Sequence, residues 1–175
     1  EVQLTPEDLS TIAGLKKLGI LTMEECAFTG EDLTGLTSAT VWELELPGCT
    51  LTEAQAESLD LTDFPKLRSL DISGIAAWQQ LPQLPEGVTQ LDISHSGISS
   101  LEGVQRLSGL SRLAAADTPV TDLTPLATCQ QLERVDISDT AVTDLTPLES
   151  CGKLQLLKAD ETPLTTLQGL ETCIE

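Results

Sequence analysis

The chain has 175 residues and a formal net charge of −19, with 28 acidic side chains against 9 basic ones; it therefore repels phosphate backbones and anionic headgroups, which argues against nucleic acid and membrane surfaces as partners. Hydrophobic residues make up 40% but aromatic residues only 2%, and Tyr is absent, so Leu, Val, Ile and Ala must fill a single thin and regular core. No apolar run is long enough to cross a bilayer and no signal peptide is visible.

Chain order begins at Glu1 rather than Met, and an upstream segment is expected. The stretch 5–18, TPEDLSTIAGLKKL, opens with a Thr hydroxyl, a Pro and early acids, the grammar of a helix start. Residues 1–17 are expected to make a partial first coil or N-terminal cap. Units of unequal length follow over 18–87, opening at Leu18, Val41 and Leu67. Their extra length falls in 29–39 (TGEDLTGLTSA) and 52–64 (TEAQAESLDLTDF). Both begin with Thr and carry early acids, so both predict short α-helices.

From Val88 the pattern becomes strict. Val88, Leu110, Leu132 and Leu154 open four units of 22 residues over 88–175, and VTDLTPL recurs unchanged at Val120 and Val142. Apolar residues fall at positions 1, 4, 6, 11, 14 and 17, for example Leu132, Val135, Ile137, Val142, Leu145 and Leu148. The first part alternates with period two, as a strand with one buried face does. The second steps by three, as a 3₁₀ turn does. Thr124-Pro125 and Thr146-Pro147 read as a capping hydroxyl followed by Pro at the first helical position.

The pattern L-x-x-L-x-L-x-x-(N/C/T)-x-L covers essentially the whole of 1–175, and the chain resembles the leucine-rich-repeat proteins. Its 22-residue units are similar to those of bacterial internalins and of the leucine-rich regulatory subunit of protein phosphatase 1. The resemblance implies a single α/β domain: a solenoid with a curved parallel β-sheet on its concave face and short 3₁₀ or α-helices on its convex face. It also implies a non-catalytic module that binds another protein on the concave sheet. The ninth position, usually Asn in those families, holds Cys26, Cys49, Ile75, Ser96, Thr118, Thr140 and Thr162. Their hydroxyls are expected to take over part of the bonding that an Asn ladder provides between coils. A single LP-x-LP stretch at 81–94 looks like the repeat of secreted bacterial ubiquitin-ligase effectors. The alternative it raises is the substrate-recognition domain of a larger enzyme.

The five cysteines include no C-x-x-C pair and have one His beside them, so no zinc site, other metal or cofactor is expected. Cys129, Cys151 and Cys173 share position 20 with Leu107 and Leu15, and all five thiols are expected to be reduced and buried. Secreted and cytoplasmic locations both remain open.

Strand positions 2, 3, 5, 7 and 8 should face outward. Position 5 then stacks Thr22, Glu45, Asp71, Asp92, Ala114, Asp136 and Lys158; position 8 stacks Glu25, Gly48, Gly74, His95, Asp117, Asp139 and Glu161. Arg112 and Arg134 join at position 3, Arg68 and an exposed Trp42 at position 2. The candidate partner-binding residues are Trp42, Glu45, Asp71, Asp92, His95, Arg112, Asp117, Arg134, Asp136 and Asp139, an acidic surface suited to a protein with a basic face. Catalysis is not expected, because Ser94 and Ser96 cannot both converge with His95 across one strand. The last coil ends at Cys173-Ile174-Glu175 without a polar cap, so further repeats, another domain or a neighbouring molecule should cover it.

Overall fold

In chain order the backbone forms β1 (Gln3–Leu4), α1 (Pro6–Ala13), β2 (Ile20–Thr22), β3 (Ala27–Phe28), β4 (Glu43–Glu45), α2 (Glu53–Ser58), β5 (Ser69–Asp71), β6 (Gln90–Asp92), β7 (Arg112–Ala114), β8 (Arg134–Asp136) and β9 (Leu156–Lys158). The computed structural model describes residues 2–171. Seven strands, β2 and β4 through β9, pair in parallel and in chain order; β1 and β3 form a separate parallel pair. The register is the one that the repeat dictates. Leu21, Leu44, Leu70, Leu91, Leu113, Val135 and Leu157 form one row, flanked by the position 3 and position 5 rows.

The pairing continues past each short strand. The position 6 amide donates to the position 5 carbonyl of the next coil, as from Ile93 to Ala114 at 2.8 Å. The position 8 amide donates to the next position 7 carbonyl, as from His95 to Ala116 and from Asp139 to Asp160, both 2.8 Å. Keeping that amide aimed at the neighbouring coil while the chain turns inward requires a left-handed residue. Every position 8 is left-handed: Glu25, His95, Asp117, Asp139 and Glu161 have φ between 48° and 58°, Gly48 and Gly74 have 64° and 72°. Gly, Asp and His are the types that tolerate this region best. Gly74 has a second reason to lack a side chain, since a Cβ there would meet the Gly48 backbone at 3.1 Å.

Position 9 corrects an expectation. The hydroxyls of Ser96, Thr118, Thr140 and Thr162 donate to the position 6 carbonyl of their own coil, at 2.6–2.7 Å. The turn at position 8 brings that carbonyl close, and a hydroxyl is too short to span to the next coil. Cys49 does cross, its Sγ lying 2.8 Å from the Met23 carbonyl. Position 7 is also less outward than expected: Ser94 and Ser138 are buried.

On the opposite side, 3₁₀ turns run over Val104–Arg106, Thr124–Thr128 and Thr146–Ser150. Here the cap differs from the sequence expectation. Thr124 and Thr146 lie inside the first turn, and it is the Asp122 and Asp144 carboxylates that accept the amides of those threonines at 2.8 Å. These bonds hold both carboxyls below their ordinary range. Helices α1 and α2 form with full capping boxes, Thr5 with Asp8 and Thr52 with Gln55. No helix forms over 29–39. Gly30 and Gly35 interrupt it, the Asp32 carboxylate turns the chain by bonding Thr34, and the Leu33 amide is held by the Ser58 hydroxyl at 2.7 Å.

The six apolar positions make one continuous core; Leu132, Val135, Ile137, Val142, Leu145 and Leu148 are all essentially buried. Cys26, Cys49, Cys129 and Cys151 are buried thiols, and burial pushes Cys49 and Cys129 up to about 11. Cys173 lies outside the described residues. Leu15, assigned to the same position as Cys129, is exposed and does not enter the core. In the last coil Leu167 is 69% exposed where its counterpart Leu145 is buried.

The left-handed turn can be tested directly. Gly74→Ala should lower unfolding free energy by roughly 1–2 kcal/mol, whereas Asp139→Gly should leave it unchanged or raise it, as measured by urea denaturation.

Candidate functional site on the concave sheet

Alternation along each strand puts positions 3 and 5 on the face opposite the core, and parallel register stacks them into two columns. Position 3 holds Ile20, Glu43, Ser69, Gln90, Arg112, Arg134 and Leu156; position 5 holds Thr22, Glu45, Asp71, Asp92, Ala114, Asp136 and Lys158. A shallow groove of about 360 Å³ runs over these columns from Glu43 to Lys158. Glu45, Asp71, Asp92, Arg112, Arg134 and Asp136 of the expected set line it; Trp42, His95, Asp117 and Asp139 lie outside it.

Sequence reasoning missed what the position 5 acids do. The carboxylates of Asp71, Asp92 and Asp136 accept the position 7 amides of Ser73, Ser94 and Ser138 at 2.8–3.1 Å. That amide points away from the next coil's ladder, and the carboxylate satisfies it. The Asp-x-Ser spacing was the available signal.

Among the described residues neither Arg68 nor Arg112 bonds the like-charge pair of Asp71 and Asp92. Arg68 instead donates to the Leu67 carbonyl at 2.9 Å and lies over Gly87. Burial raises the Asp92 carboxyl above its ordinary range; Ser94 pulls it back, Asp71 adds to the rise, and His95 is the cation near enough to draw it down. Burial would raise Asp136 too, but bonds from Ser138 and the Lys158 ammonium at 3.2 Å bring it below the ordinary value.

Along the position 8 edge, His95 Nδ1 lies 3.0 Å from the Asp117 carboxylate, both groups exposed, with Asp139 on the following coil. The Ser96 hydroxyl donates inward to the Ile93 carbonyl, away from that imidazole. At the N-terminal end Trp42 is 45% exposed and its indole covers Gly19, beside Ile20 at 48%. Trp42 is thus both packed on the flanking coil and presented to solvent. Trp78 is buried, and its indole N–H donates to the Ala56 carbonyl at 3.2 Å, closing the junction beside α2. Among the described residues no cluster of His, Cys, Asp and Glu is arranged to hold a metal ion, and no helix is long and apolar enough to cross a membrane.

No family model matches the chain, and no curated protein sequence matches it. Solved structures do. An internalin C2 from Listeria monocytogenes superposes with a TM-score of 0.76 at 22% identity, over 95% of this chain and 71% of that one. The chain has the leucine-rich-repeat fold. An internalin F from the same organism superposes equally well, with a TM-score of 0.76 at 18% identity, over 95% of this chain but only 48% of its own length. At these identities the leucine-rich-repeat likeness is one of fold.

The two carboxylates should respond oppositely to neutralisation. A raised carboxyl opposes folding when ionised, so Asp92→Asn should increase Tm at pH 7, and the gain should vanish as pH falls below the carboxylate range. A lowered one stabilises above its unfolded value and loses that contribution as pH falls through its folded value. Asp136→Asn should therefore lower the unfolding free energy at pH 7 by under about 1 kcal/mol, and Tm with it, with the difference closing in acid. Thermal melts across pH check both.

Proposed function

We propose that this leucine-rich-repeat domain is a non-catalytic module that binds another protein through the concave sheet. The observation that carries the reading is the pair of solvent-facing columns at positions 3 and 5. Charged side chains there are held in fixed register along a groove, with Trp42 and Ile20 as apolar anchors at one end. A rigid sheet that presents preformed side chains loses little entropy on binding, which suits recognition of a surface more than conversion of a substrate. The likeness of fold to internalins supports a binding role. The basic partner surface proposed here complements the carboxylates of β4 to β6, and Asp117 and Asp139 extend the acidic edge.

Affinity capture at modest salt tests the reading. Wild type is compared with a Trp42→Ala, Glu43→Lys, Glu45→Lys variant, which leaves the amide-capping aspartates in place. A partner identified by mass spectrometry should bind the variant at least tenfold more weakly in purified form. Equal affinity for both would move the working surface off the concave sheet.

A further inference from the structure

The two concave columns divide by charge along the solenoid axis. On β4, β5 and β6 positions 3 and 5 hold Glu43, Glu45, Asp71 and Asp92 and no cation. On β7, β8 and β9 they hold Arg112, Arg134 and Lys158 against one carboxylate, Asp136, which Lys158 already binds. Three of the nine basic residues of a chain with net charge −19 thus share one block of one face.

Arg112 and Arg134 are exposed and directly opposite one another across β7 and β8. Among the described residues neither guanidinium has a hydrogen bond or an ion pair. The residue that would neutralise Arg112 on its own strand is Ala114, where β5, β6 and β8 have Asp. Arg68 shows the contrast: its guanidinium is settled on the Leu67 carbonyl. Two adjacent like charges oppose pairing unless an anion comes between them, and two planar guanidinium groups side by side suit a carboxylate, which accepts paired N–H bonds.

We infer that the groove takes an extended segment of a partner protein that carries mixed charge in a set order: a cationic side chain over Asp71 and Asp92, and a carboxylate over Arg112 and Arg134. This rests on the concave-binding reading above and adds the chemistry and direction of the ligand. The two stations lie two strands apart, ~10 Å, which an extended chain covers in about three residues. Ile20 and Trp42 lie beyond the acidic station, Ile20 about two and a half strands or ~12 Å away, and receive an apolar residue three or four positions from the cation.

The test is a random dodecapeptide display library selected in parallel on the purified chain and on an Arg112→Glu, Arg134→Glu variant, with an Arg112→Gln, Arg134→Gln variant as a milder control and circular dichroism to confirm folding. Wild type should enrich peptides with Lys or Arg separated from Asp or Glu by two to four residues. Those peptides should bind the Glu variant at least tenfold more weakly by fluorescence anisotropy and the Gln variant to an intermediate degree. Selection on the Glu variant should replace the acid by a base. Peptides that lose affinity with Glu45→Lys but ignore both arginine variants would overturn this inference and leave concave binding standing. Peptides indifferent to every concave substitution would overturn both. A dimer in sedimentation velocity that the Glu variant dissolves would assign the face to a second copy of the chain and overturn the inference as well.

Discussion

Between neighbouring coils the position 8 amide reaches the position 7 carbonyl of the next coil, and this bond recurs from Glu25 to Asp139. It demands positive φ in every repeat, which L-residues adopt at a cost. The cost is offset because the same turn carries the chain into the core and closes the position 9 hydroxyl onto its own coil. With the turn in place the strands align in register, position 4 and position 6 side chains stack inward, and positions 3 and 5 stack outward. The face proposed to meet a partner is therefore a by-product of how the coils are bonded.

The Asp residues of position 5 do structural work with the same atoms that the proposed recognition uses. One carboxylate oxygen of Asp71, Asp92 and Asp136 is occupied by the amide two residues on. What remains faces the groove. An acidic column was legible from the repeat, but its first duty is to satisfy the backbone. Glu43, Glu45, Arg112 and Arg134 add charge to the groove without such a backbone duty.

Much of the fold could be read from spacing. Period-two alternation placed β5 to β9 and their register, and the capping grammar located α1 and α2, because these depend on neighbours within a few residues. What could not be read depended on distances between coils. The chain over 29–39 has helix-like composition, but Ser58 of the next coil captures the Leu33 amide, and Gly30 and Gly35 weaken the alternative. The caps moved from Thr124 and Thr146 to Asp122 and Asp144, because the threonines lie inside the first turn and their own amides are the ones left for the carboxylates two residues earlier to accept. Of the candidate site, six residues share the groove, whereas His95, Asp117 and Asp139 line its edge, because the left-handed turn swings position 8 away from positions 3 and 5.

Cysteine scanning with a captured partner tests the concave account most directly. The native thiols at 26, 49, 129 and 151 are buried, so introduced cysteines dominate maleimide labelling at those coils. Glu43→Cys, Gln90→Cys and Arg134→Cys sample the groove; Glu57→Cys, Glu102→Cys and Thr128→Cys sample the helical side. The account predicts that the partner slows labelling of the first three severalfold and leaves the second three unchanged. Protection confined to the helical side would contradict it.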